Sequence, residues 1–240
     1  MGIVNNTYFK NEIYIAHAKP GIADAVTEVE SKVNDFINEY EQDCLIKSLG
    51  VLLANEFFSK LDSSRPNFIK EGEDAKWDEL LNGKTYEKEG KTVVWKGIRI
   101  KSKSLGDELQ GGLPDVSFLA NYIYFFYESN FFITRGNAGS GSNKSANMET
   151  IVPNQKVVKA WNKFVQMVQG GVFNSSYPNF EGNYFEKEGR FGGLGVSFYN
   201  EDERLNVPMY KFISDMNELL EGTYADFSPK QWSFMNQFGI

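Results

Sequence analysis

Cysteine and histidine are almost absent from this chain, which has one residue of each type among 240. The single cysteine, Cys44, excludes an intramolecular disulfide and structural zinc sites built from four cysteines or from two cysteines and two histidines. The single histidine, His17, excludes two-histidine metal sites and leaves only those His-based triads that use His17 itself. Composition therefore removes most familiar catalytic centres, and we expect Cys44 to be a small buried hydrophobic residue.

Positive charge and long apolar runs are also scarce. Lys and Arg number 25 against 32 Asp and Glu, which gives a net charge of −7 and argues against a nucleic-acid-binding surface. The most apolar stretch, residues 118–127, is about half as long as a bilayer span. The N-terminal residues show no basic segment followed by an apolar one, so we expect no signal peptide and no membrane association.

Helical periodicity is the main pattern along the chain. Between Ile22 and Cys44 the apolar residues recur every three or four positions, which predicts a helix with one apolar stripe that ends before Gly50. Asp74 and Pro208 are suitable helix starts, and the glycines near 83, 170 and 222 are suitable ends. The sequence predicts helices over about 22–44, 51–61, 74–83, 116–132, 154–169 and 208–222.

The remaining segments predict short extended or irregular structure. We expect a β-like run at residues 13–15, a polar turn at 86–90, a strand at 92–95 and a polar loop at 136–147. The predicted fold is a mainly α helical bundle with extended terminal arms and a small β-hairpin element. Its parts are an N-terminal arm (1–20), a bundle core (21–170), a loop or β-hairpin insertion (171–206), and a C-terminal helix with an aromatic tail (207–240).

Patterns that could indicate catalysis are weak. The glycine-rich segments 136–145 and 189–195 lack the contiguous Gly-Lys-Ser/Thr of a phosphate loop and a flanking βαβ pattern. Acidic residues cluster at 71–78 and 201–203, but both clusters occur in polar turns beside lysine or arginine, which favours a solvated surface over an acid–base pair. We predict no catalytic residue, no cofactor and no metal site.

Aromatic residues are concentrated at the C-terminal end of the chain, beyond the last predicted helix. We predict that five of them bind a partner protein, because large apolar side chains left in water are costly and typify interfaces. The equally weighted alternative is that the tail folds back onto its own bundle. The five residues are Tyr224, Phe227, Trp232, Phe234 and Phe238.

Several short segments, taken in order, resemble the head–tail connector (adaptor, or neck ring) proteins of tailed bacteriophages of the crAss-like type. Their order is more specific than any single segment, and together they cover residues 20–170 and the tail. Residues 172–206 have no counterpart in this resemblance. The matching segments are Cys44–Gly50, Phe57, Trp77–Tyr86, Gly90, Trp95–Gly97, Tyr122–Tyr127, Ala160–Asn162 and Trp232–Ile240.

The resemblance implies a non-enzymatic virion protein, assembled in the host cytoplasm and located in the phage neck. It implies a homo-oligomeric ring of about twelve copies that binds the portal protein and further neck or tail proteins. Arms and C-terminal segments of such subunits reach into their neighbours or the portal. Genomic DNA would pass through the channel without specific binding, which an acidic wall favours because it repels phosphates.

Two other functions are alternatives to this interpretation. The first is a different virion accessory protein, for tail completion or bound to the capsid. The second is a small hydrolase that uses the carboxylates of Glu71, Asp74, Glu201 and Asp202.

Overall fold

A computed structural model of the chain describes residues 2–15, 26–99, 117–137, 154–170 and 205–235. Within these ranges, short 3-10 turns occur at Asn6–Tyr8 and Asn11–Ile13. The helices are α1 (Val26–Leu49), α2 (Val51–Lys60), α3 (Ala75–Asn82), α4 (Phe118–Asn137), α5 (Asn154–Val168) and α6 (Met209–Leu219). The strands are β1 (Lys84–Lys88), β2 (Lys91–Trp95) and β3 (Leu205–Asn206).

The core of the bundle lies between α1, α4 and α5. Residues 117–124 of α4 and its N-terminal flank are all buried, as expected for a helix that is apolar nearly all round. The predicted stripe of α1 faces this core, with Val33 and Cys44 fully buried and Phe36 and Tyr40 half-buried. The helix predictions for these three segments are confirmed where the structure describes them, except that α1 continues to Leu49 and α4 to Asn137, each five residues further than predicted.

Short-range signals place both ends of α3 and the start of α6 correctly, whereas α6 ends at Leu219, three residues before its predicted end at 222. The carboxylate of Asp74 accepts the backbone N–H of Lys76 at 3.0 Å and caps α3, which ends before Gly83. Pro208 is the N-terminal flanking residue of α6, and Gly222 follows its end. These residues act through local backbone geometry, which is why single-residue signals are sufficient to predict them.

The hairpin in the described residues joins β1 to β2 in antiparallel register, with Tyr86 opposite Val93. The prediction of a polar turn at 86–90 is therefore wrong for 86–88. The turn itself is only Glu89 and Gly90, both at positive φ, which is the geometry of a tight two-residue hairpin. β3 adds two residues in parallel to β2 on its other side.

Ion pairs attach the hairpin to α6. The Tyr86 hydroxyl donates to Asp215 at 2.7 Å, and the Lys88 ammonium contacts Asp215 and Glu218. Lys211 reaches the same Asp215 carboxylate at 2.8 Å. Because the Asp215 side chain is 1% exposed, these partners compensate a carboxylate that has left water.

The N-terminal arm packs against the bundle. The prediction of a β-like run at 13–15 is wrong for Ile13, which belongs to a 3-10 turn, while Tyr14 is extended. Ile3, Val4, Phe9 and Ile15 are each less than 5% exposed. The arm is thus part of the hydrophobic core.

The mainly α fold with a small β-hairpin is confirmed, and the hairpin that the structure describes lies at 84–95. The predicted insertion at 171–206 lies outside the described residues except for β3. The predicted loop at 136–147 lies outside them after Asn137.

Candidate functional site: the groove of the C-terminal strap

The last described residues, 228–235, form an extended segment that we call the C-terminal strap. It begins at the end of α1, where the N–H of Ser228 donates to Leu49 O at 3.1 Å and the N–H of Lys230 donates to Lys47 O at 2.8 Å. The last carbonyls of a helix have no partner within the helix. The strap therefore caps α1 with its own backbone, and this contact needs no particular side chain in the strap.

Gly50 allows this close approach between α1 and the strap. It has φ +91° and ψ +153°, a region that side chains other than glycine rarely adopt. A Cβ atom at this position would lie 2.9 Å from the Ser228 carbonyl oxygen and 3.0 Å from its nitrogen. The glycine thus both turns the chain into α2 and leaves room for the strap.

Trp232 is the apolar anchor of the strap. Its ring packs edge-on against Tyr122, Trp161 and Phe164, at centroid distances of 5.8, 5.7 and 4.9 Å. The residue is 6% exposed, and its indole N–H donates to the Tyr210 hydroxyl at 2.9 Å. The pocket therefore removes the apolar ring of Trp232 from water and also supplies a hydrogen-bond acceptor for its indole N–H.

Side chains of α5 and of Gln169, the residue directly after it, bind the backbone of the strap from Trp232 onward. Gln169 Oε1 accepts the N–H of Trp232 at 2.7 Å, and Trp161 Nε1 donates to Ser233 O at 2.8 Å. The amide of Asn162 donates to Met235 O at 2.9 Å and accepts from Met235 N at 2.8 Å. Together they recognise an extended main chain in the way that a sheet edge does.

Tyr210 connects the two halves of the strap. Its hydroxyl donates to Lys230 O at 2.7 Å while accepting the Trp232 indole N–H. Burial raises the pKa of Tyr210, and the bond from Trp232 opposes that shift only in part. The phenol stays protonated, so it keeps its donor role at neutral pH.

The turn before the strap is fixed to the bundle by different contacts. Tyr224 is 1% exposed, and its hydroxyl donates to Lys76 O at 2.7 Å. Its backbone N–H and C=O both bond to the Asn217 side chain, at 2.6 and 3.1 Å. Phe227 is half-buried and lies edge-on to Tyr210 at 5.4 Å. These contacts fix the turn to the bundle, and the strap begins directly after it.

The structure describes four of the five predicted partner-binding residues and places them on the chain's own bundle. Tyr224 and Trp232 are buried, Phe227 and Phe234 are half-buried against the core, and Phe238 lies outside the described residues. This arrangement is the fold-back alternative for the described aromatics, and their contact with a partner stays a prediction. Asn162, Gln169 and Tyr210, which bind the strap, were missed because nothing in their local pattern indicates a distant backbone partner.

Three described carboxylates of the 71–78 cluster have local structural partners, and Glu71 is exposed. Asp74 caps α3, Glu73 pairs with Lys60 at 2.9 Å, and Asp78 accepts from Asn82 at 2.7 Å. His17 and residues 201–203 lie outside the described residues. Cys44 is buried, and burial raises the pKa of its thiol, in line with the expectation of a small core residue.

The described residues contain neither a metal-binding cluster nor a membrane-spanning helix. No group of three His, Cys, Asp or Glu side chains in these ranges is arranged to hold a metal ion. None of the helices in the same ranges has the length and apolar character needed to cross a membrane.

Comparisons of the chain with protein-family models, with curated proteins and with solved structures found no match.

Proposed function

We propose that this chain is a structural, non-enzymatic subunit of the neck of a tailed bacteriophage. About twelve copies would form a ring that joins the portal to the tail, and genomic DNA would pass through its channel. The proposal combines the resemblance of the sequence with one structural observation: the bundle contains a groove that binds an extended segment mainly through its backbone.

The groove supports this role because it does not depend on which copy supplies the strap. Main-chain groups of residues 228–235 make most of its hydrogen bonds, and one side chain, Trp232, fills its pocket. The strap of a neighbouring copy would make the same contacts at almost no cost in local energy. Exchange of an identical element is a low-cost route to an oligomer, and head-to-tail exchange closes into a ring when the rotation permits.

The contacts of the turn define the position at which the strap would leave its own bundle and cross to a neighbouring copy. Tyr224 is held within the core and by both of its backbone groups, so it stays with its own bundle. Ser228 and Pro229 follow, and a proline restricts the residue before it, here Ser228, to extended backbone geometry. A strap redirected at these residues would carry Trp232 into the pocket of the next subunit while the turn remained in place.

The net charge of the chain agrees with a DNA channel. Protein surfaces that bind DNA neutralise phosphates with lysine and arginine, which makes them adhesive. A subunit with a charge of −7 instead repels the duplex on average, which favours its passage.

Isotope-mixed cross-linking tests the exchange on the intact protein. Lys47 and Lys230 are neighbours across the groove, because the N–H of Lys230 bonds to Lys47 O at 2.8 Å. Equal amounts of ¹⁴N- and ¹⁵N-labelled chain are mixed as monomers, assembled with the portal protein of the same genome and treated with an amine-reactive cross-linker. Exchange predicts Lys47–Lys230 peptides in which one half is ¹⁴N and the other ¹⁵N.

A second lysine pair provides the control. Lys60 and Lys70 are also neighbours, joined by a 2.9 Å backbone hydrogen bond, but both belong to the α2 end and the loop after it. Their cross-links must stay unmixed in every sample. Unmixed Lys47–Lys230 cross-links in an assembled ring would show that each strap stays on its own bundle, and would remove the structural support for the proposal.

A further inference from the structure

Glu41 of α1 holds the first residues of the N-terminal arm. Its Oε1 accepts the N–H of Ile3 at 2.9 Å, and its Oε2 accepts the N–H of Val4 at 3.0 Å. Glu41 is only 7% exposed, while Ile3 and Val4 are 2% and 0% exposed. The arm thus packs directly on the carboxylate that binds it, and detachment of the arm would expose Glu41 further to water.

Gly2 shows how closely the arm approaches this carboxylate. A Cβ atom on Gly2 would lie 2.6 Å from Oε2 and 2.7 Å from Oε1 of Glu41. A side chain at position 2 would therefore displace the carboxylate from its two N–H donors. The contact between arm and α1 has little steric tolerance at this point.

No described lysine or arginine side chain compensates the charge of Glu41. Among the described residues, no lysine or arginine forms an ion pair with it. Asp62 and Lys70 line the cavity of about 380 Å³ beside it, and the Lys70 ammonium is bound to Ser59 O. On α1 the charge of Glu41 acts on the buried thiol of Cys44, and the positive charge of the chain's α-amino group acts to stabilise the carboxylate.

We propose that the N-terminal arm and Glu41 form a proton-linked latch, in which residues 2–15 hold the bundle more tightly as the pH falls from 8.0 to 5.5. A buried carboxylate without a cationic side-chain partner is costly, and a proton removes that cost. Protonation weakens one of the two N–H contacts, but this loss is smaller than the cost of the buried charge. The proposal does not depend on the function proposed above.

The direction of the effect follows from linkage. Burial raises the pKa of Glu41 from 4.5 to about 7, against the lowering effect of the Val4 and Ile3 hydrogen bonds and the α-amino charge. When the arm detaches, Glu41 returns to water and to its ordinary pKa. The docked arm therefore binds the proton more tightly, so docking strengthens on acidification and weakens as the pH rises through 7.

One further titratable pair lies under the arm. Lys163 of α5 is 3.7 Å from Glu12, and burial lowers the pKa of this lysine. Its titration favours docking at high pH, which is the opposite direction. A variant at Glu41 separates the two contributions.

Amide hydrogen exchange of the full chain tests the latch. Protection of the amides of residues 3–9, corrected for the intrinsic exchange rate, is measured at pH 8.0 and 5.5. A change in pKa from 4.5 to about 7 predicts that the wild-type arm is protected about 30-fold more at pH 5.5 than at pH 8.0. E41Q does not titrate and, like the protonated carboxyl group, keeps one carbonyl acceptor, so its protection should show no step between the two pH values.

Two variants keep the test decisive. E39Q changes an exposed carboxylate on the same helix and should retain the full step. G2A should shrink the step, because its methyl group displaces the carboxylate without removing it, and this variant serves if E41Q does not fold. Wild-type protection that is constant or decreases on acidification would overturn the proposal, as would a full step in E41Q.

Discussion

Trp232 of the strap donates its indole N–H to the hydroxyl of Tyr210 across 2.9 Å, and this bond satisfies the only polar group of a side chain that is 6% exposed. The two residues are 22 positions apart. Their contact joins the strap to α6, and the first prediction concerns the hydroxyl that makes it.

Replacing Tyr210 by Phe should lower the free energy of unfolding by about 1–3 kcal/mol. The ring still fills its place, but the buried Trp232 N–H and the Lys230 carbonyl lose their partner. Urea denaturation followed by tryptophan fluorescence measures the change. Tyr14→Phe is the matched control, because Tyr14 is 58% exposed, and it should leave stability unaltered. Equal stabilities for Y210F and Y14F would show that the hydroxyl contributes nothing to strap binding.

Two glycine variants separate backbone strain from the close approach of the strap. Gly50 and Gly72 have similar φ values, +91° and +84°, but a Cβ at Gly72 meets nothing within 4 Å. G72A should cost about 1 kcal/mol of conformational strain. G50A should cost at least about 2 kcal/mol more, because its Cβ also meets the Ser228 backbone. If thermal unfolding shows equal losses for both, the strap does not constrain position 50.

Asn162 is predicted to hold the far end of the strap. N162A removes both hydrogen bonds to Met235, and the Met235 amide should exchange at least about tenfold faster. Asn34 of α1 is exposed, so N34A is the control and should leave this exchange rate unchanged. Hydrogen exchange resolved at single residues measures the rate at Met235. An unaltered rate in N162A would mean that the two hydrogen bonds between Asn162 and Met235 do not hold the strap.

Asp215 is predicted to make the fold sensitive to acid. Burial acts to raise its pKa, but hydrogen bonds from Lys211, Lys88 and Tyr86 outweigh this and lower the pKa below its usual 3.8. A carboxylate with a lowered pKa stabilises the fold above pH 3.8 and loses that contribution as the pH falls further.

D215N should therefore cost about 3 kcal/mol or more at pH 7, because it leaves Lys88 and Lys211 near an uncharged buried group. Urea denaturation at pH 7 and pH 3 should show a smaller pH effect in D215N than in wild type. D226N, at an exposed aspartate, should behave as wild type. An identical pH effect in D215N would assign the acid sensitivity to other carboxylates.

Much of the fold was predictable because its signals are local. The apolar stripe of α1, the cap at Asp74 and the start at Pro208 act within a few residues of themselves, so the structure follows them closely. The first strand of the hairpin was not predicted. Its residues, Lys84–Lys88, alternate without a strong apolar face, and the strand is stabilised by Asp215, more than 120 residues away in the sequence.

The candidate site was predictable only in part. The aromatic content of the tail indicated a segment that needs apolar contacts, and Trp232 does fill a pocket. The choice of pocket depends on side chains such as Asn162 and Gln169, which bind backbone groups 63–73 residues away. A side-chain amide that binds a distant backbone leaves no periodic pattern or motif in the sequence. Its partner residue carries no signal either, because every residue other than proline supplies the same backbone groups.

Mass photometry of the full chain, alone and mixed with the portal protein of the same genome, tests the proposed neck function most directly. The account predicts that the portal gains the mass of about twelve copies of this chain, and that fewer copies bind when residues 228–240 are deleted. A chain that remains monomeric and leaves the mass of the portal unchanged at every concentration would contradict it.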